Sequence, residues 1–188
     1  MRYYKEWADS YKKTMKVAKR AISSWSFSAP VESYCGNEYR GINSFLRNET
    51  DCETNRYREM ADILSIVLCL APRIPENIVV YRLVDDNFIA EFMEETIKYG
   101  MFQEKGFMST SLLENIVNVD EYFASEHNLL KIYVKSGTIG IYVNSVVDRS
   151  EEEVLLFPNR ILKLRKPPYN SRKHRKVVYE CDLYESFE

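Results

Sequence analysis

At 188 residues the chain is long enough for one domain with one sizeable core. Its 26 Lys and Arg nearly balance 28 Asp and Glu, and a net charge of −2 excludes a broad positive face of the kind that nucleic-acid duplex binders rely on. Cys35, Cys52, Cys69 and Cys181 are scattered and the only histidines are His127 and His174, a pattern that excludes zinc-ligand spacing and predicts neither a metal site nor disulfides.

Tyr4, Trp7, Tyr11, Met15, Ala18 and Ile22 recur at three- and four-residue steps and predict an amphipathic helix over residues 3–24, followed by a loop over 23–30. Within residues 38–47, Ile42, Phe45 and Leu46 form a small apolar stripe. Tyr39, Asn43 and Arg47 stand four apart on another face, which read alone is either a wet helix surface or a polar, cationic binding face. Residues 50–53 (Thr-Asp-Cys-Glu) fit a capping box. The helix they open carries Met60, Ile63, Leu64, Val67 and Leu70 and is ended by Pro72 and Pro75; Cys69, in its apolar run, reads as a buried thiol.

Residues 77–84 are β-rich and predict a strand with Arg82 near its end, where a charge must reach solvent or a partner. Residues 87–99 predict a helix with Phe88, Ile89, Phe92 and Ile97 as apolar positions and Gly100 as its stop. In a strand over 107–112, Phe107, Ser109 and Ser111 share one side and Met108, Thr110 and Leu112 the other. Hydroxyls in a core strand call for a ligand or a carboxylate to meet them. A loop or frayed helix is expected over 113–120 and a helix over 121–127. Residues 129–135 and 138–143 read as two strands around a Ser136-Gly137 turn.

A polar connection, 144–150, then runs into Glu151-Glu152-Glu153-Val154-Leu155-Leu156. If 154–156 is a strand, Glu151 and Glu153 point to one side and Glu152 to the other. The plain reading is a solvated acidic turn; the sharper one is a pair of carboxylates at the mouth of a sheet. Residues 161–164 and 177–183 predict strands joined by a basic loop (Arg165, Lys166, Arg172, Lys173, His174, Arg175, Lys176), read as a solvated hairpin tip. Helices first and strands later favour a segregated α+β fold in a single domain over 1–188.

Four pieces, in order, resemble the arginine–serine–glutamate class of ADP-ribosyltransferases, the group of the clostridial binary actin-modifying toxins and the Rho-modifying exoenzymes. They are Tyr39-x-x-x-Asn43-x-x-x-Arg47, Arg82 in VVYRLV, Ser109-Thr110-Ser111 in GFMSTSL, and Glu151-x-Glu153 in EEEVLL; GTIGIYV also looks like the family's strand ahead of its recognition loop. The resemblance implies a helical N-terminal part packed on a two-sheet β core, with NAD as substrate. It implies that Arg82 and Arg47 hold the pyrophosphate with Tyr39 and Asn43 lining the same cleft, and that the Leu83 backbone lies near the nicotinamide amide. Ser109 would support the catalytic Glu153, Thr110 and Ser111 would stabilise the strand, and Glu151 would meet the incoming nucleophile. Glu-x-Glu goes with arginine acceptors in this family, so the expected activity is transfer of ADP-ribose to a protein arginine, with actin or a small GTPase as possible targets. Leu83, Lys131 and the absence of an aromatic in 144–150 depart from the family's pattern and bear on the target.

The further expectations are a monomer, a secreted toxin or effector acting in a host cytosol, and neither nucleic acid nor membrane as a partner. The N-terminus lacks the apolar segment of a signal peptide and no apolar run approaches membrane-spanning length. The alternatives are an NAD glycohydrolase of the same fold, a silent domain that keeps the cleft, and a metal-dependent carboxylate enzyme, for which no further acidic cluster speaks.

Overall fold

The computed structural model of the chain describes residues 4, 6–10, 13, 29–48, 54–115, 127–143 and 152–185. Residues 4, 6–10 and 13 are helical, as the apolar spacing predicts. Trp7 is buried there, its indole N–H donating to the Pro72 carbonyl at 2.9 Å. Helix α1 (Pro30–Ser33) runs through a π-type turn, Tyr34–Glu38, into helix α2 (Tyr39–Asn48), with a kink at Gly36 (φ −81°, ψ −114°). Helix α3 is Thr54–Leu70 and helix α4 is Asp86–Tyr99. The ends of α4 are set chemically. The Asp85 carboxylate accepts from the Phe88 N–H at 2.7 Å, and Gly100, at φ 78°, closes the last turn.

The described strands are β1 (Ile78–Val84), β2 (Phe102–Glu104), β3 (Met108–Ser111), β4 (Asn128–Val134), β5 (Gly140–Tyr142), β6 (Glu153–Leu156), β7 (Arg160–Leu164), β8 (Tyr169–Ser171) and β9 (Lys176–Tyr184). They follow one hydrogen-bonded path, β2-β7-β9-β4-β1-β3-β6-β5, with β8 on the side of β9. The path is pinched in the middle. β1 and β4 pair along seven residues, whereas β1 and β3 share the single pair Tyr81↔Ser111. Two sheet segments therefore meet at one residue pair, which is how the expected two-sheet α+β core is realised.

The apolar side chains fill two large cores and a small third one of Tyr81, Leu129 and Val178. One large core joins Val80, Leu130, Ile132 and Leu162 to Phe92 of α4 and to Trp7; the other joins Val31, Ile42, Leu64 and Leu68 of the helices to Phe107 and Leu155. Strand pleat divides β3 and β6 between them: Met108, Val154 and Leu156 face the first core, Phe107 and Leu155 the second.

Several expectations are corrected. β4 and β5 are not a hairpin, because both edges of β4 are taken by β1 and β9. The turn between them docks instead on the preceding loop, where Gly137 N–H donates to the Ile74 carbonyl and Ile74 N–H to the Thr138 carbonyl, at 2.8 and 3.0 Å. Leu70 and Ile97 are 55% and 80% exposed, since each lies in the last turn of a helix that outruns the surface it packs on. Cys69, next to Leu70, is likewise exposed. Strands β2 and β8 arise where no strand was expected. The capping box at 50–53 and the helix over 121–127, apart from His127, lie outside the described residues.

Candidate active site

The pinch in the sheet is where the candidate residues gather. Arg82 stands on the same side of β1 as the core residues Val80 and Val84. Past Tyr81 the β1–β3 ladder stops, and the Arg82 guanidinium bridges the gap, its Nη1 donating to the Ser109 carbonyl at 3.2 Å. Its Nε is buried with no hydrogen-bond partner among the described residues. A buried donor left in this state is a place for an acceptor to bind.

Glu153 opens β6 and is only 2% exposed. It lies opposite Ser111, on the side of the sheet that carries Phe107, Ser109 and Leu155. A carboxylate so buried needs donors. The Ser109 hydroxyl donates to its Oε1 in a short hydrogen bond, and the Cys35 thiol lies 4.0 Å from the same oxygen. The other hydroxyls of the strand serve the backbone: Thr110 donates to the Val154 carbonyl at 2.7 Å, and Ser111 accepts from the Leu113 N–H at 2.9 Å. The strand that holds Ser109 is thus tied at both sides. Glu152 adopts φ 49°, and its side chain accepts from the Tyr142 hydroxyl, which leads it away from the Glu153 side. A positive φ at a non-glycine residue is strained backbone, here at the entry to β6.

Tyr34 sits beneath this group. Burial pushes its phenol well above the ordinary range, against the lowering influence of the Arg82 charge and the Asn43 hydrogen bond, with Glu153 raising it further. It is a neutral donor at any working pH, and it gives its hydrogen to the Phe107 carbonyl at 3.1 Å. Asn43 is 5% exposed and fully used: its amide donates to Tyr34 and to the Phe107 carbonyl at 3.0 and 3.1 Å and accepts from the Phe107 N–H at 2.9 Å. The expected cleft-lining residue is therefore seen here as a clamp on the first residues of the Ser109 strand.

Above the clamp lies a cleft of about 460 Å³, lined among others by Tyr39, Arg47, Arg82, Leu83, Phe88 and Glu104. Arg47 meets Glu104 through two parallel hydrogen bonds, Nε to Oε1 and Nη2 to Oε2, each 3.0 Å. Burial works against the Arg47 charge, but the hydrogen bonds and charge of Glu104 outweigh it and raise its pKa. The cleft has the volume of a cofactor-sized site and three cations in its wall, Arg47, Arg82 and Lys105.

The structure thus brings Arg82, Ser109 and Glu153 together and sets Tyr39, Arg47 and Leu83 around the adjoining cleft. Lys131 is elsewhere, opposite Tyr81 on the outer side of β4 and 3.9 Å from Glu180. Glu151 and the 144–150 loop lie outside the described residues. Tyr34, Cys35 and Glu104 were not singled out from the sequence. Tyr34, five residues ahead of Tyr39, offers a weak signal; Glu104 offers none, because its partner is 57 residues away. Among the described residues no cluster of three or more His, Cys, Asp or Glu is placed to hold a metal, and no helix is long and apolar enough to cross a membrane.

The same architecture occurs in solved toxins. The ADP-ribosylating toxin BECa of a binary enterotoxin of C. perfringens, solved with NADH, superposes with a TM-score of 0.72 at 22% identity, over 97% of this chain and 48% of that one. The enzymatic component C2-I of the Clostridium botulinum C2 toxin gives 0.68 at 22% identity, over 96% and 46%. The C3 exoenzyme of Clostridium limosum gives 0.63 at 18% identity, over 93% and 94%. The chain spans about half the length of the two binary-toxin components and nearly all of the C3 exoenzyme. No curated protein sequence shows significant similarity to it. The sequence pattern described for the ADP-ribosyltransferase exoenzyme family, by contrast, matches residues 3–185. A match that runs through every strand and helix described above places the chain in one group: it belongs to the ADP-ribosyltransferase exoenzyme family.

Proposed function

We propose that the chain is a mono-ADP-ribosyltransferase that breaks the nicotinamide–ribose bond of NAD and passes ADP-ribose to an arginine of a target protein, acting as a bacterial toxin or effector in a host cytosol. The observation that carries this reading is Glu153, buried, held by Ser109, and placed beside an arginine with an unused buried donor. In this reading Arg82 and Arg47 hold the pyrophosphate in the cleft, where planar forks of donors suit phosphate oxygens. The C1′–N bond breaks, nicotinamide leaves with the electron pair, and the ribose becomes oxocarbenium-like. The Glu153 carboxylate, fixed by the Ser109 hydroxyl, faces the positive charge that develops there and stabilises it without having to reorganise. Tyr34 and Asn43 act further back, through the Phe107 backbone that starts the Ser109 strand.

An arginine acceptor is protonated in water, with a pKa above ~12, and must lose a proton as its nitrogen bonds C1′. Glu151 takes this role in the proposal, since the Glu151-x-Glu153 pattern supplies a second carboxylate two residues ahead of Glu153 and, in the family it resembles, goes with arginine acceptors. Actin and small GTPases are the target classes that the resemblance suggests. The test is Glu151→Gln assayed on NAD with a small arginine analogue and with a labelled host lysate. The expected result is loss of transfer with part of the NAD hydrolysis kept. Full transfer by this variant would remove Glu151 from the reaction and, with it, the reason for an arginine acceptor.

A further inference from the structure

We infer that Glu104 is a positioning residue for NAD binding, acting by aiming Arg47 into the cleft; the inference rests on the proposed function of the same site. Glu104 is the last residue of β2, and its side chain is 1% exposed. A carboxylate at that depth is costly unless it is paired and hydrogen-bonded. It has both. Arg47 meets it bidentately, and its Oε1 also accepts from the Gly106 N–H at 2.7 Å.

The pair is asymmetric in exposure: the Arg47 side chain is 38% exposed against 1% for Glu104. The carboxylate is therefore the fixed base and the guanidinium the part that faces outward. Nε and one hydrogen of Nη2 are consumed by Glu104, which leaves Nη1 and the second hydrogen of Nη2 to a ligand. Both side chains line the cleft that Arg82 also lines. Without Glu104 the long Arg47 side chain would have to be ordered by the ligand, at the expense of affinity.

The same carboxylate organises the turn into the Ser109 strand. Glu104 holds Gly106, while Arg47 and Asn43 of α2 hold Glu104 and Phe107, so α2 grips both ends of the turn from one side. The turn leaves no spare room: a Cβ on Gly106 would come within 2.9 Å of Asn43 Oδ1 and 3.1 Å of Glu104 Oε1. Arg47, Glu104 and the start of β3 thus form one unit, and a purely structural role for Glu104 would show itself differently from an aiming role.

The experiment is a double-mutant cycle of Glu104→Gln and Arg47→Ala, with KM for NAD, kcat for nicotinamide release and the thermal midpoint measured for all four proteins. Glu104→Gln keeps shape and one acceptor but loses the charge. Its KM for NAD is expected to rise about tenfold, equal to 1.4 kcal/mol, with kcat changed less than threefold. In the Arg47→Ala background the same change is expected to leave KM alone and to raise the thermal midpoint, because it removes a buried charge that has lost its partner. A KM that is unchanged or lowered by Glu104→Gln in the Arg47 protein overturns the inference; a lowered KM would mean that Glu104 masks Arg47. A KM effect that persists in full in the Arg47→Ala background overturns it too, since Glu104 would then not act through Arg47. If the unmutated protein neither binds nor cleaves NAD, the proposed function fails first and the cycle is read on thermal midpoints alone, where absence of coupling overturns the pairing itself.

Discussion

Replacing Asn43 by alanine separates a clamp from a ligand contact. The Asn43 amide is buried and makes three hydrogen bonds, two to the Phe107 backbone N–H and C=O and one to Tyr34. After truncation the Phe107 carbonyl keeps its bond from Tyr34. The Phe107 N–H keeps nothing among the described contacts, and Phe107 is fully buried, so water cannot replace the lost acceptor. One stranded donor costs about 1–3 kcal/mol and the lost bonds about 1 kcal/mol more. The sum, about 2–4 kcal/mol, is a large part of the 5–15 kcal/mol that holds an ordinary domain together. At a urea dependence of about 2 kcal/mol/M, the unfolding midpoint should fall by about 1–2 M. Equilibrium urea unfolding followed by circular dichroism and tryptophan fluorescence measures it. Asn43→Asp, which keeps the acceptor for Phe107 N–H but loses both donors, should recover part of the loss. A midpoint shift below about 0.3 M for Asn43→Ala would refute the clamp and return Asn43 to the cleft wall as a direct ligand contact.

Three further outcomes are expected. Ser109→Ala removes a hydrogen bond to a charged group, worth about 1.5–3 kcal/mol; steady-state kinetics should show kcat reduced about 10- to 100-fold with little change in KM. Burial disfavours the Glu180 charge, but hydrogen bonds from Tyr169, Lys166 and Tyr133 and the Lys131 charge outweigh it and hold the carboxyl below its usual range. A depressed folded pKa contributes stability above the unfolded value of about 4.3 that is lost as pH falls through the folded value; thermal midpoints should therefore fall below about pH 4, and Glu180→Gln should flatten that acid limb. Burial, with the Asp182 and Glu180 charges adding to it, pushes the Cys181 thiol up to about 12. Peptide mapping after brief alkylation of the native protein should find Cys69 modified and Cys181 and Cys35 protected until denaturant is added.

What could be read from the sequence was whatever is encoded locally. Arg82, Ser109 and Glu153 sit on short strands whose alternation says which side each faces, and the structure brings the three together at the joint of the sheet. Helix α4 was legible through its apolar positions and its stop at Gly100, whereas the Asp85 cap that starts it at Asp86 was not singled out. What was not legible depends on chain segments far apart. Glu104 gains its meaning from Arg47, and the roles of Asn43 and Tyr34 from Phe107, 64 and 73 residues on. The Ser136-Gly137 turn has good hairpin chemistry, yet its strands part because β4 is satisfied on both edges and Ile74 captures the turn. Periodicity in α3 and α4 likewise continues to Leu70 and Ile97, beyond where anything remains to cover them.

The central claim is that Glu153 drives cleavage of NAD toward an arginine acceptor. It is tested most directly by nicotinamide release from NAD, with no added magnesium, with and without a small arginine analogue, for the unmutated protein and for Glu153→Gln. The account predicts release that rises with the analogue and disappears in Glu153→Gln while the thermal midpoint shows the variant folded. Release that survives in folded Glu153→Gln, or no release from the unmutated protein under any of these conditions, would contradict it.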